Sequence, residues 1–354
     1  MYAEVVQPES ISPSDLDSYL ERGYFRLGSK LFTTSFLCFE DSLFDAFWLR
    51  IDLDEFILSR SQKELMKRAG RFTIKIAPFL YSYEAEDLFQ LYRSSVNFSP
   101  ARTLEHILGE DPGLFNTYGV SIYDGKKFIG CGLFDLGSTS AEGIVSFYHP
   151  EYKKFSLGKV LMLAKMRYCQ ENGIRWYYPG YVAPGYAKFD YKLEVGKEFS
   201  YFLDLKSKQW KHISDLELKE QPLSRMLSGL IQVEGLLQSM GYKEFQLKKY
   251  RFYDITLDTS YSEYGLLTYP FFIHCFSNSP MEEVIIVFDA IRSKFQLLLC
   301  SKVFQITLPE EKQEYYSTFL LKPQYLIFED EQELNFTFAL NELLGKTSNT
   351  ENLS

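Results

Sequence analysis

Cysteine is scarce and scattered in this chain of 354 residues. The five, Cys38, Cys131, Cys169, Cys275 and Cys300, stand far apart and never as Cys-x-x-Cys. That usage suggests neither a disulfide scaffold nor a zinc site, and it predicts buried thiols, with Cys131 in a strand and Cys169 in a helix. No apolar run approaches the roughly 18 residues needed to span a bilayer. Residues 1–18 are polar and acidic, without the basic start and apolar run of a signal peptide, so cytoplasm is the expected compartment. There is no repeat of fixed period, no P-loop, no Gly-x-Ser-x-Gly elbow and no His-Glu-x-x-His. Neither a metal nor a cofactor is expected.

Aromatic residues, by contrast, are plentiful: 26 Tyr and 31 Phe bring the aromatic share to 17%. Core and strand packing accounts for most of them, but aromatic faces also stack on bases. A hydrophobic share of 46% and a charged share of 24% give the balance of a globular protein. The net charge of −9 argues against a protein that coats nucleic acid non-specifically. Charge is uneven, however. Residues 140–212 carry 12 Lys/Arg against 7 Asp/Glu, a local +5 that leaves −14 for the remainder. Such an island fits a local footprint on RNA, and it fits a solvated face equally well.

Hydrophobic periodicity and turn residues divide the chain. Residues 1–77 read as an N-terminal unit, with a helix over 13–20 capped by Ser12, a strand over 47–51 and a basic helix over 59–69. Residues 78–210 read as a second domain. It opens with a helix over 85–95 and continues with strands 118–123 and 127–136 around an Asp124-Gly125 turn. A strand over 143–148, a helix over 156–172 with Ser156 as N-cap and Gly173 as stop, and a strand over 174–181 complete it. Strand, short loop, helix and strand in that order form the central unit of an acyltransferase-type fold. Residues 211–345 read as a helix over 222–240 followed by a β-rich extension, with apolar runs at 255–257, 271–276, 284–288, 295–299 and 325–328. Residues 346–354 read as a disordered polar tail.

The segment 145–192 carries the densest pattern. It holds Ser146-Phe147-Tyr148-His149-Pro150-Glu151, then Ser156-Leu157-Gly158, then Trp176-Tyr177-Tyr178-Pro179-Gly180-Tyr181, and closes on Lys188-Phe189-Asp190-Tyr191-Lys192. The N-terminal unit adds Glu21-Arg22-Gly23, Leu49-Arg50, Phe56, Ser59-Arg60-Ser61-Gln62 and Lys67-Arg68. In order and spacing, over roughly residues 16 to 205, this set resembles the arginyl-tRNA–protein transferases and their bacterial leucyl relatives. Three departures stand out. The family's clustered cysteines are replaced by Glu40, Leu43 and Ala46, with Cys38 out of register, which argues against a metal or cluster there. His149 stands where the family has an acidic residue before its Pro, and Tyr186 where it has a late cysteine. Beyond about residue 210 no counterpart is found. These changes bear on redox regulation and on substrate preference.

The resemblance implies an α+β fold whose catalytic domain is an acyltransferase-like (GNAT-type) mixed sheet flanked by helices. It also implies transfer of arginine or leucine from aminoacyl-tRNA to a protein with an acidic N-terminus, with no membrane and no DNA as partner. The residues allow that chemistry. Aminoacyl-tRNA is an activated ester, so the task is to position an α-amine, whose pKa lies near 7.7–8.0, and to stabilise an oxyanion. Tyr148, Tyr181 and Tyr191 are candidate donors from strand ends. Asp190, or His149, is a candidate proton acceptor; the plain alternatives are a solvated carboxylate and a loop residue. Lys188 and Lys192 could hold an acidic side chain or be exposed lysines. Arg50, Arg60, Lys63 and Lys67 could meet tRNA phosphate or the acceptor, or form a solvated stripe. Gly180 marks the strand end. Ser156 and Gly158, with Lys159, open a helix whose N-terminus could hold a phosphate or ribose. The turn 155–160 has one glycine and lacks a Gln/Arg-x-x-Gly-x-Gly cradle, which weighs against the alternative of a coenzyme A-dependent N-acyltransferase. A non-catalytic adaptor that keeps the fold is the third reading.

Overall fold

Side-chain caps fix where the early helices begin. The Asp15 amide donates to the Ser12 hydroxyl while the Ser12 amide donates to the Asp15 carboxylate, and Pro13 occupies the first turn, where no N–H is needed. The helix so started, Pro13–Glu21, buries Leu16 and Leu20. Ser59 and Gln62 repeat the device ahead of Arg60–Ala69. The computed structural model describes residues 2–39, 41–96, 101–111, 113–218 and 221–351. Glu40, one of the family's cysteine positions, and residues 352–354 of the expected tail lie outside them. Two compact units interleave along the chain: residues 6–33 with 46–216, and residues 1–5 with 34–45 and 217–354.

The first unit is built on one eight-stranded sheet. Its strands run in the order Gln209–His212, Ser200–Asp204, Phe47–Asp52, Trp176–Val182, Ser140–Tyr148, Lys127–Leu136, Thr117–Asp124 and Thr73–Pro78. The sheet thus takes strands from both sides of residue 77. Every neighbouring pair is antiparallel except the central one, Ser140–Tyr148 with Trp176–Val182. The Asp124-Gly125 turn joins Thr117–Asp124 to Lys127–Leu136, with Gly125 at φ +59, the sign that hairpin turns require. Helix Leu157–Glu171 covers one face through Val160, Leu161 and Met166, which cluster with Ala141 and Tyr177. Because side chains alternate along a strand, Tyr178 points to the other face and packs with Trp48 against Leu16 and Leu20. Asp17 of that first helix accepts from the amides of Ser138, Thr139 and Ser140 at 3.1, 3.0 and 3.1 Å, and so anchors the start of Ser140–Tyr148. The architecture is a large mixed sheet with helices on both faces.

In the second unit five antiparallel strands, Gln246–Lys249, Phe271–Ser279, Glu282–Asp289, Lys294–Gln305 and Phe319–Asp330, form a sheet in chain order. Helix Pro222–Ser239 presents Met226, Leu230, Val233 and Leu237 to its core, and Gly241 at φ +109 follows the helix. Four of the five expected apolar runs lie in strands; the fifth, Ile255–Leu257, is a single 3-10 turn. A larger correction concerns the C-terminus. Residues 333–338, read as part of the β-rich region, belong to helix Glu333–Glu351, which continues through most of the stretch expected as a tail. Four of the five cysteines are buried as expected. Cys38 is exposed, because the ribbon Phe36–Phe39/Ser42–Asp45 places Phe36 in the core and runs outward from there.

Candidate active site

The two central parallel strands do not stay together. They pair as Ser140↔Trp176, Ala141↔Tyr177 and Glu142↔Tyr178, and the pairing ends there, although one strand runs on to Tyr148 and the other to Val182. Beyond that point each follows its outer neighbour through a bulge: between Gly143 and Val145 against Lys127–Leu136, and between Tyr177 and Gly180 against Phe47–Asp52. A bulge bends its strand and sharpens the twist. Two bulges bending away from a shared edge open a wedge between the strands, at the end where helix Leu157–Glu171 starts. Gly180, at φ +89, sits on the second bulge.

Parting strands leave backbone carbonyls without ladder partners, and a buried lysine takes up one of them. Lys165 Nζ donates to Val145 O at 3.0 Å, to Leu133 O at 2.8 Å and to Ser146 Oγ at 3.1 Å. Burial lowers its pKa to about 7. The sequence reading passed over Lys165; its signal was a lysine at i+4 from Leu161 and i−4 from Cys169, in the middle of the helix's apolar stripe. Gly143 is required for a similar reason. A Cβ there would overlap the Tyr177 hydroxyl and stand 3.2 Å from its ring carbon. Gly143→Ala is therefore expected to cost about 1–3 kcal/mol in denaturant unfolding. Tyr177→Phe, which removes the obstructing oxygen, should recover at least half of that loss in the double variant.

Phenols gather near the ends of the diverging strands. Tyr148, at the end of its strand, packs its ring 5.3 Å from that of Tyr92. Tyr191 lies within electrostatic reach of Tyr92, Tyr177 and Tyr181. Burial raises the pKa of all five, that of Tyr92 to about 12, so each hydroxyl keeps its proton and can donate. Tyr181 stacks edge-on against Trp48 at 5.1 Å and Phe189 at 5.1 Å. Lys192 is buried, and its Nζ donates to Tyr181 O at 2.8 Å, 4.9 Å from the Tyr181 ring centre and 5.0 Å from that of Phe189. The same Nζ lies 3.1 Å from where a side chain on Gly180 would begin. Desolvation lowers the Lys192 pKa to about 7. Lys188, half-buried, has its Nζ 6.0 Å from the Tyr186 ring and 5.8 Å from that of Phe189, and burial lowers its pKa too.

Helix Tyr191–Gly196 is tied to the rest of the unit by Lys192 and by further contacts. Lys159 pairs with Glu194 at 2.6 Å, and Gln62 Nε2 donates to Val195 O at 2.7 Å. Asp190 precedes this helix, exposed, with no side-chain capping bond. Ser156 corrects its expected role. It occupies the position before Leu157–Glu171, but in the left-handed region at φ 52, and its hydroxyl makes no cap bond. The cause is the 3-10 turn Pro150–Phe155, whose closing bond from the Ser156 amide to Lys153 O forces the reversal there. Gly158 packs near Tyr148, whose Cε1 lies 3.5 Å from a Cβ built on it. His149 caps that turn by accepting from the Glu151 amide.

The structure does not bring every expected residue together. Arg50 donates to Glu21 at 2.5 Å, and its guanidinium lies 3.8 Å from the Trp176 ring and 4.7 Å from that of Trp210. Tyr178 also donates to the Glu21 carboxylate at 3.3 Å, and the Trp210 indole donates to the Glu21 backbone carbonyl at 2.9 Å. This cage of rings and carboxylate occupies Arg50. Arg60, Lys63 and Lys67 are exposed on one helix face, as a solvated stripe would be. A further cluster went unread in the sequence. Glu142 stands directly opposite Asp135 on the neighbouring strand, and buried Arg26 lies between them. The Arg26 amide donates to Glu142 at 2.8 Å and its NH1 to both Asp135 oxygens at 3.0 Å. Burial and the Asp135 charge push the Glu142 pKa up to about 8, and its Oε2 has no hydrogen-bond partner among the described residues. Nothing local in the sequence distinguishes these three from ordinary surface charges.

Residues 82–200, which include both wedge strands and helix Tyr191–Gly196, match the family model for the arginine-tRNA-protein transferase C terminus. An aspartate/glutamate leucyltransferase of Leptospira interrogans is 30% identical over 192 residues, covering 52% of this chain and 73% of that protein. The chain belongs to the arginyl/leucyl-tRNA–protein transferase family. Its likeness extends to an aspartate/glutamate leucyltransferase of Vibrio cholerae, 26% identical over 196 residues, 54% of this chain and 82% of that one. Among solved structures, the C-terminal domain of a putative lysylphosphatidylglycerol synthetase from Agrobacterium fabrum aligns with a TM-score of 0.31 and 12% identity, over 42% of this chain and half of that one. Among the described residues no helix is long and apolar enough to cross a membrane.

Proposed function

We propose that this transferase moves arginine or leucine from aminoacyl-tRNA onto the α-amine of a protein whose first residue is Asp or Glu. The observation that carries the reading is the wedge between Ser140–Tyr148 and Trp176–Val182, which lies inside the segment matched by the family model. In this reading the sheet is GNAT-type, and the catalytic domain, residues 78–210 with strand Phe47–Asp52, admits the aminoacylated RNA 3′ end where other acyltransferases hold a pantetheine arm. The ester is already activated, so the protein supplies position and charge stabilisation. Tyr148, Tyr181 and Tyr191 offer protonated hydroxyls to the developing oxyanion. The turn at Ser156 and Gly158, with Lys159, faces the terminal ribose or phosphate, and Gly180 leaves room for the Lys192 amine at the strand end. Lys188 and Lys192 meet the acceptor's carboxylate, and Asp190, exposed beside them, is the carboxylate through which the released proton passes to solvent. Arg60 is free to meet phosphate, and Arg50 orders the sheet behind. The reading has the protein acting in the cytoplasm on tRNA and acidic N-termini, without a metal.

The test is transfer itself. Separately charged arginyl- and leucyl-tRNA, incubated with peptides beginning with Asp, Glu or Ala, should label the first two and spare the third. No label from either tRNA on any peptide, with a thermal shift on adding acetyl-CoA, would give the reading up in favour of a coenzyme A enzyme.

A further inference from the structure

Lys192 is an odd choice for a fixed cation. A lysine meant as a permanent clamp keeps its ammonium hydrated or beside a carboxylate, because burying a bare charge is costly. Here the amine is buried with one acceptor among the described residues, the Tyr181 carbonyl at 2.8 Å, and two ring faces. The acidic groups around it are otherwise disposed. Asp190, two residues earlier, is exposed, and Glu194, on the same helix, is held by Lys159 at 2.6 Å. Of the other titratable groups, Lys188 can only add positive charge, while Tyr181 and Tyr191 are phenols held protonated by burial. Only desolvation moves the Lys192 amine, so near neutral pH it is poised between its two states. It lies beside Gly180, on the bulge where the second strand turns away from its parallel neighbour.

An acceptor with Asp or Glu first brings both things this amine lacks. Its α-ammonium carries a proton to give, and its side chain carries a negative charge that would hold an ammonium in place. We propose that Lys192 takes a proton from the acceptor's α-ammonium and, so charged, becomes the counter-ion of the acceptor's own side-chain carboxylate. One proton transfer then frees the nucleophile and selects the acidic first residue. The balance closes. Of the three ammonium protons, the first goes to Lys192. The second passes to the departing ribose oxygen as the C–N bond forms and the ester C–O bond breaks. The third stays on the amide nitrogen, and Lys192 returns its proton to solvent after product leaves. A neutral first residue fails because the buried lysine would be charged with nothing beside it.

The proposal rests on the transferase reading, and the experiment separates the two. Wild-type transfer is measured against pH with acceptors beginning with Asp and with Asn, followed by Lys192→Arg and Lys192→Met. The Asp/Asn ratio of kcat/KM in the wild type should be highest near pH 7 and shrink towards pH 9, where the α-amine deprotonates unaided. Arginine can pair with the carboxylate but cannot accept a proton. Lys192→Arg should keep KM for the Asp acceptor within about threefold, with kcat about tenfold down at pH 7 and restored by pH 9, following the neutral fraction of an amine with pKa near 8. Lys192→Met should lower the Asp/Asn ratio to near one. A wild-type ratio that is flat in pH overturns the proposal, and that arm needs no variant to fold. So does a Lys192→Met enzyme that keeps the wild-type preference, or a Lys192→Arg deficit equal at pH 7 and 9. A wild type that transfers to no acceptor at all removes the transferase reading and this proposal with it.

Discussion

Arg26→Ala is expected to remove about 3–5 kcal/mol of stability, enough to leave a domain of ordinary stability barely folded. The reason is what stays behind. Arg26 is buried with Asp135 and Glu142, which face each other across neighbouring strands, a placement that is unfavourable for two carboxylates even at a surface. Its guanidinium also donates to Gly28 O at 2.8 Å, to Thr117 Oγ1 at 2.9 Å and to Leu108 O, so it fastens the Phe25–Leu27 hairpin to the sheet. Truncation strands Asp135 away from water, takes the neighbouring cation from Glu142, whose bond from the residue-26 amide survives, and leaves three acceptors empty. The pH dependence has a definite sign. Burial raises both carboxyl pKa values, Glu142 to about 8, so their contribution to stability is intact below the unfolded carboxylate range and is lost as pH rises through the folded values. Without Arg26 those values climb further. The deficit of the variant relative to wild type should therefore be smallest near pH 5 and grow towards pH 9 in urea titrations. Asp135→Asn placed in the Arg26→Ala background should recover part of the loss, since removing both partners costs less than removing one. An Arg26→Ala protein with the wild-type midpoint at pH 8 would contradict the buried network.

How much of this was legible in the sequence depends on how far apart the determining residues lie. Local devices could be read. Ser12 with Pro13, Ser59 with Gln62, Asp124-Gly125 and Gly173 act within a few residues, and the helices and the hairpin begin or end where they stand. Ser156 looked like another such cap, yet its backbone is set by the 3-10 turn before it, and no feature of the serine announces a left-handed conformation. Helix Glu333–Glu351 fails differently. Leu334, Phe336, Phe338 and Leu340 alternate as a strand would, but only Phe336 and Leu340 are buried, four apart on one face, while Leu334 and Phe338 are 51% and 56% exposed. The wedge could not be seen locally at all. It depends on Lys127–Leu136 and Phe47–Asp52 drawing the central strands apart, and the second of these lies about 130 residues from its partner. The candidate residues of segment 145–192 were chosen by type and order. The structure gathers Tyr148, Tyr181, Tyr191 and Lys192 near the wedge, gives Arg50 to Glu21, and shows in Lys165 a buried amine whose place in an apolar stripe was the one sign of it in the sequence.

Tyr191→Phe is expected to reduce kcat for transfer by about 10²-fold with little change in KM, the loss that follows removal of one preorganised oxyanion donor. The hydroxyl is the right group to test because it is the common neighbour of the cluster. It is an electrostatic neighbour of Tyr92, Tyr177 and Tyr181, which places it centrally among them. Desolvation at the hydroxyl holds its pKa above the ordinary phenol value although the residue as a whole is 44% exposed, so it keeps its proton and can donate at any pH at which the acceptor amine is reactive. Structural damage should be slight. The residue is 44% exposed and opens its helix, so deleting one oxygen leaves no cavity and no stranded backbone group, and the melting temperature should stay within about 2 °C of wild type. Tyr177→Phe is the useful contrast, being fully buried and pressed against Gly143, where its effect should fall on stability before rate. A Tyr191→Phe enzyme with wild-type kcat would leave Tyr148 and Tyr181 as the remaining donors. If Tyr191→Ala also transferred at the wild-type rate, the helix Tyr191–Gly196 would lose its place at the reacting centre.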